Sequence, residues 1–295
     1  MHKVDWVDAH CHLWELARGD YDWLDVNNPD LAPIARNFGW EDLKAAYSGK
    51  DIEHSVLVQA AASDAETDYL LSLAQEHPSI AGVVGWVDLS NHKLEERLLE
   101  LDLDPLCLGI RPMLQDIPET DWILNPDQQS GLAALSQTTL KFDALVTSRH
   151  LDALLTLCLT YPDLPVIIDH AAKPALDNLQ SNEYQQWCAG MQALAKNTEA
   201  ICKVSGLLTE MSPEQRSSPQ KALSVLQPLF EQLLEWFGPE RLVWGSDWPV
   251  LTLAADFNSW FEISNQLLAP LSTADRMAIV STNAIKFYGL EEVVA

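Results

Sequence analysis

The chain reads as an α/β protein, a single (β/α)8 TIM barrel over residues 1–295, and three observations point there. Short apolar runs rich in β-branched residues alternate with longer stretches whose apolar residues recur at three and four spacing, the pattern of parallel strands joined by crossover helices. Eight such runs occur, which suits a closed barrel better than an open doubly wound sheet. No G-x-G-x-x-G or G-x-x-x-x-G-K-[ST] follows any of them, so a nucleotide-binding sheet loses its main support.

In chain order the predicted strands are residues 6–10, 55–59, 82–87, 108–113, 140–146, 165–169, 201–205 and 242–245. The helical stretches between and after them are 65–76, 93–101, 131–137, 148–161, 183–196, 223–237, 255–268 and 273–288. The last begins at Thr273-x-x-Arg276, a cap without an acidic partner at its third position, so that boundary is only roughly placed. Two connections are long, residues 13–54 and 115–139. Both leave strand C-termini, the face on which barrel sites are built. The first carries Trp14, Tyr21, Trp23 and Trp40, the second Trp122. Such aromatics either pin a loop to the barrel or offer a flat face to a ring-shaped ligand.

Composition narrows the function classes. Hydrophobic residues make up 47% and charged residues 21%, a folded globular balance, and 43 Asp and Glu against 18 Lys and Arg give a formal net charge of −25. That field repels phosphate backbones and anionic lipid surfaces, so neither nucleic acid nor membrane is expected as a partner. Cys11, Cys107, Cys158, Cys188 and Cys202 form no C-x-x-C pair, which fits a reducing compartment. The start, MHKVDWVDAHCH, has no leader pattern, and a cytoplasmic protein is expected.

The chemistry concentrates at strand ends. Val7-Asp8-Ala9-His10-Cys11-His12 closes the first strand, and because strand side chains alternate, His10 and His12 point one way and Cys11 the other. Two imidazoles converging at a barrel mouth suit a divalent ion such as zinc. The sixth strand ends Ile168-Asp169-His170 and the eighth Gly245-Ser246-Asp247. Taken singly, His170 suits a satisfied core position and Asp247 a turn before Pro249. All four on one rim point to a site.

These residues, with Trp14, Gly19-Asp20-Tyr21-x-Trp23-Leu24, Val56-Leu57-Val58-Gln59-Ala60, Gly82-Val83-Val84-Gly85-Trp86-Val87-Asp88 and Gly109-Ile110-Arg111, resemble the amidohydrolase superfamily. The likeness continues through Asp169-His170-Ala171-Ala172-Lys173-Pro174, Cys202-Lys203-Val204-Ser205-Gly206-Leu207 and Trp244-Gly245-Ser246-Asp247-Trp248-Pro249. It is nearest to the amidohydrolase-2 branch of L-fuconolactonase-like sugar lactonases. The resemblance implies a metal-dependent-type hydrolase of carbohydrate catabolism, with His10, His12, His170 and Asp247 in the ligand positions and His170 and Asp247 catalytic. One departure stands out. No lysine suited to carbamylation ends the fourth strand, and the fifth carries Phe142 and Asp143 in place of a histidine. At most one divalent ion, zinc by preference, or none, is therefore expected.

Opening a lactone needs an activated water, a stabilised oxyanion and a proton for the leaving oxygen. Asp247 is the expected base, and Gln59, Arg111, Lys173, Trp14, Trp122 and Trp248 are candidate substrate contacts. The expected substrate is a neutral L-fuconolactone, L-galactonolactone or L-rhamnonolactone, turned over by a monomer or small homo-oligomer. A dicarboxylate lactone would demand more cations, a non-oxidative decarboxylase would use the same barrel differently, and a non-catalytic carbohydrate-binding barrel would show gaps in the acid and base set.

Overall fold

The computed structural model describes residues 5–291, so both ends of the predicted domain, 1–4 and 292–295, lie outside the described residues. The first half runs β1 Trp6–Cys11, α1 Trp40–Ala46, β2 Ile52–Val58, α2 Asp64–Glu76, β3 Ile80–Gly85, α3 Leu94–Leu103, β4 Cys107–Ile110 and α4 Pro126–Leu135. The second runs β5 Lys141–Ala144, α5 Leu151–Thr160, β6 Val166–Ile168, α6 Asn182–Asn197, β7 Ile201–Val204, α7 Pro219–Phe237 and β8 Leu242–Trp244. Helices α8 Phe257–Leu268, α9 Thr273–Met277 and α10 Asn283–Tyr288 follow. The strands form one eight-stranded sheet in sequential order, and the pairings along it are parallel. This is the predicted barrel.

The differences from the sequence reading are local. Helix α4 starts five residues before the predicted 131, because Pro126 at its first turn and an extended Asn125 make a good helix entry that apolar periodicity does not register. Inside the long first connection, Gly39 in extended backbone opens the unpredicted α1, with Asp42 accepting from the Gly39 N–H. The predicted 273–288 helix is interrupted by a π-turn at Ala278–Thr282.

Two apolar layers result. The larger lies between strands and helices and takes the outward residues, among them Cys11, Phe142, Cys202 and Trp244. The smaller fills the barrel itself with Val7, Val56, Val84, Ile167 and Val243, and Ala284 and Tyr288 of α10 belong to it. Asn283 donates to the carbonyls of Pro239 and Leu242, which anchors α10 across the lower, N-terminal end of the strands. The upper end is completed where β1 meets the segment after β8: Asp247 N–H donates to His10 O at 2.8 Å and His12 N–H to Trp248 O at 2.7 Å. Ring closure itself therefore brings Asp247 beside the two histidines of β1.

Candidate active site

The alternation expected at the end of β1 is present: Cys11 packs outward, and His10 and His12 turn inward with ring centroids 4.9 Å apart. His12 Nδ1 donates to Val58 O at 2.7 Å, since a carbonyl only accepts, and its Nε2 lies within hydrogen-bond distance of Asp247 Oδ1, at 3.3 Å. His10 is fully buried. Its Nδ1 lies 3.1 Å from Lys203 Nζ and 3.3 Å from Asp169 Oδ1, so it could accept from the one or donate to the other. Arg111 Nη1 is 3.4 Å from His10 Nε2, so each ring nitrogen faces a cationic donor and Nδ1 faces a carboxylate as well.

His170 arrives by an unusual route. After β6, His170, Ala171, Ala172 and Lys173 all have positive φ, between 49° and 57°. Left-handed backbone costs a residue with a side chain roughly 1–2 kcal/mol, so four in a row persist only where packing overrules it. Here Ala171 and Ala172 are buried, and the indole N–H of Trp187 donates to Ala171 O at 2.6 Å. The turn aims His170 Nε2 at Asp247 Oδ1, 3.8 Å away, and its Nδ1 bonds the Ser205 hydroxyl at 2.9 Å. Asp247 has positive φ as well, at 58°.

Two glycines make room. A Cβ on Gly206, where φ is +63°, would come within 2.6 Å of His170 Nδ1 and 3.0 Å of Asp247 Oδ2. One on Gly245 would meet His10 Cβ at 2.9 Å. Beneath this turn Asp8 accepts from Ser246 N–H, His10 N–H and the Tyr47 hydroxyl, tying β1 to the β8 turn; burial pushes its carboxyl up to about 6.

The electrostatics separate the groups. Burial lowers His10 well below the ordinary imidazole range and His170 to about 4, so both rings are neutral at pH 7. Burial pushes Asp247 upward too, but the neighbouring His170, His12 and His10 outweigh it and hold the carboxyl well below its usual range. The result is an anionic oxygen facing imidazole nitrogens. Three nitrogens and one carboxylate oxygen are a donor set that suits zinc, and His10, His12 and Asp247 have ligand atoms within 4.8 Å of one another. The other candidate group among the described residues, His10, Asp169 and His170, shares His10, so the arrangement fits one ion and not two.

Above these groups opens a cleft of about 150 Å³ lined by His12, Arg111, His170, Lys173 and Asp247, with Trp23, Gln115 and Asp116 contributed by the two long connections. A wider depression of about 360 Å³ at the opposite end, around Pro165, Thr198 and Phe287, has no histidine in its lining. Of the expected substrate contacts, then, the structure brings Arg111 and Lys173 to the cleft. Lys173 Nζ lies 3.6 Å from Glu210.

The structure places four others away from the cleft lining. Trp14 is buried against Trp23 and Phe38 with its N–H on Arg36 O, and Trp248 packs edge-on to Phe38, so both pin the first connection to the barrel. Trp122 borders a separate small cavity beside His150 and Leu154. Gln59 is fully buried, and its side-chain amide donates to Arg111 O at 2.6 Å while Arg111 Nη2 donates back to Gln59 O. It shapes the arginine and does not reach the cleft. Sequence reasoning noted Trp23 only as one of several loop aromatics and passed over Asp116, both of which the loops carry to the cleft, and the buried Asp169 and Lys203. Charged residues inside predicted strands were the available signal for the latter pair.

Comparison with known proteins agrees with this geometry. The sequence pattern of the amidohydrolase family matches residues 7–290. The chain is 37% identical to an L-fucono-1,5-lactonase of Burkholderia ambifaria over 97% of its length and 96% of that protein. It is 32% identical to an L-fucono-1,5-lactonase of Burkholderia multivorans, with 97% and 96% covered. A crystal structure of an amidohydrolase from Burkholderia multivorans with bound zinc superimposes with a TM-score of 0.89 at 31% identity, over 97% of this chain and 99% of that one.

Proposed function

This chain belongs to the amidohydrolase family, and we propose that its cleft hydrolyses a neutral sugar lactone to the aldonate, the whole of 1–295 acting as one domain. The observation that carries the reading is the single carboxylate, Asp247, kept anionic at the centre of three imidazoles beside a buried arginine. In this reading Asp247 accepts the proton of the attacking water as the new C–O bond forms at the carbonyl carbon. Arg111 Nη1, already turned toward His10 Nε2, donates to the developing oxyanion. When the tetrahedral carbon collapses, the ring C–O bond breaks and Asp247 returns the proton to the departing ring oxygen, leaving a carboxylic acid that releases its proton to solvent and becomes the aldonate. His10, His12, His170 and Asp247 would hold the single ion, which when bound polarises the carbonyl and acidifies water.

Substrate charge follows from the lining. Arg111 and Lys173 are the cations of the cleft, Lys173 stands near Glu210, and Asp116 adds a negative charge. A dicarboxylate lactone would bring two charges to a wall nearly balanced already, so the neutral ring is favoured. The volume of about 150 Å³ suits one small ring. Metal-assisted decarboxylation has less support, because the similar proteins described above are named as lactonases. The same reading places the protein in the cytoplasm as a monomer or small homo-oligomer without a nucleic-acid partner. No helix among the described residues is long and apolar enough to cross a membrane.

A pH-indicator assay over a panel of lactones tests the proposal, because ring opening releases a proton and decarboxylation consumes one. Hydrolysis of neutral six-carbon or 6-deoxy lactones ahead of dicarboxylate ones is expected; failure on every lactone sinks the reading. Elemental analysis of the purified protein should find no more than one tightly held divalent ion, removed by His10→Ala with His12→Ala.

A further inference from the structure

Below the cleft, one layer of the barrel interior is charged where its neighbours are apolar. Asp143 on β5, Asp169 after β6 and Lys203 on β7 are each fully buried, and all three face inward while their neighbours Phe142, Ile168 and Cys202 pack outward. Lys203 Nζ lies 2.5 Å from Asp143 Oδ2 and 3.0 Å from Asp169 Oδ1. From the floor of the barrel the Tyr288 hydroxyl of α10 donates to Asp143 Oδ2 at 2.8 Å. Asp169 in turn faces the site twice, with Oδ1 at 3.3 Å from His10 Nδ1 and Oδ2 at 3.4 Å from Arg111 Nη1.

A filler role does not explain this layer. The barrel is packed just beneath by Val56, Val84, Ile167 and Val243, and apolar side chains fill such a space at no desolvation cost. Three buried charges are justified only by what they touch, and the end of the series that is not buried in carbon is His10 and Arg111. We propose that Lys203 is a positioning residue of the lactonase site: braced by Asp143 and Tyr288, it holds Asp169 and, with Nζ 3.1 Å from His10 Nδ1, fixes the His10 ring in one orientation and one tautomer, with Arg111 turned alongside. The series Tyr288, Asp143, Lys203, Asp169 thus links the helix that plugs the barrel to the groups that meet the substrate. The inference rests on the functional reading above for the meaning of His10, but not for its own test.

That test uses the full chain labelled with 15N in its histidine rings, the His10 signals being identified by their loss in His10→Asn. Wild type is expected to show His10 in a single tautomer. The double variant Asp143→Asn with Lys203→Met removes one buried charge of each sign, which is tolerated far better than removal of one partner. It is expected to unfold cooperatively, to lose the single His10 tautomer, and to show a kcat roughly 10- to 100-fold lower, the usual effect of disturbing such supporting groups. KM should stay within about twofold, since the cleft wall is untouched. Tyr288→Phe should move the same two readouts in the same direction by a smaller factor. A wild-type His10 averaged over both tautomers, or a folded double variant with wild-type ring signals and kcat, overturns the proposal. If the double variant does not fold, Tyr288→Phe decides alone: unchanged ring signals and kcat overturn it. Should wild type open no lactone, the functional reading falls while the ring spectra still decide the positioning.

Discussion

The lower and upper halves of the barrel interior are built from opposite materials. Below, Val7, Val56, Val84, Ile167 and Val243 meet the plug of α10 in a layer held by burial, where many weak dispersion attractions share the work. Above, His10, His12, Arg111, Asp169, His170 and Asp247 are held by named hydrogen bonds, by left-handed backbone and by two glycines that leave no space to spare. Trimming one side chain of the lower layer leaves its neighbours still packed on one another. Breaking one hydrogen bond of the upper layer leaves a buried polar group with nothing to replace its partner. Stability and chemistry are thus separated by depth along a single barrel, and substitutions in the two halves should differ in kind as well as in size.

The sharpest way to break that contrast is Asp247→Asn. The amide keeps the shape but takes no proton, so kcat should fall by about 10²–10⁴ while the melting temperature shifts little. A variant keeping more than about a tenth of wild-type kcat removes Asp247 as the base.

Next in size is Gly206→Ala, with Gly49→Ala as its partner. Both positions have positive φ, +63° and +76°, but a Cβ at 206 strikes His170 and Asp247 whereas at 49 it meets nothing within 4 Å. Each should lose roughly 1–2 kcal/mol of stability to the left-handed backbone. Only Gly206→Ala should lose activity as well, by about a hundredfold, as expected when catalytic groups are misplaced by an ångström. Equal activity in the two would show that the upper layer can relax after all.

Glu66 tests the rim. Its buried carboxylate accepts the N–H groups of Ala60 and Ala61, the first of which lines the cleft, and burial raises it to about 7 against these hydrogen bonds. A carboxyl raised on folding contributes stability that is complete below pH 4.5 and lost as pH climbs through 7. Denaturant unfolding at pH 5 and pH 7.5 should therefore find wild type losing ground to Glu66→Gln by up to about 3 kcal/mol as pH rises. Parallel behaviour of the two proteins contradicts this.

The smallest effect belongs to the lower layer. Ile167→Val removes one methylene from a fully buried side chain and should cost about 0.5–1.5 kcal/mol in denaturant unfolding, with kcat unchanged. A matching fall in kcat would mean that the apolar layer also sets the site.

The barrel was legible because its signals are local. Strand alternation and helix spacing repeat within a few residues, and His10-x-His12, Asp169-His170 and Ser246-Asp247 each close a strand whose end defines the mouth. Ring closure then brought them together, as strand order alone requires. What lay beyond the sequence was direction at long range. Whether Trp14, Trp122 or Trp248 faces a ligand depends on what packs against it from the loops, and the structure turns all three away and sends Trp23 inward. Lys203 and Asp143 look like ordinary charges in short strands until β5, β6 and β7 stand side by side and Tyr288 arrives from the last helix. A charge buried in a barrel is explained only by its partners, and those of Asp143 are Lys203, 60 positions along the chain, and Tyr288, 145 positions along it. Such separations are closed by the tertiary fold alone, because no pattern within a single strand or helix reaches across them.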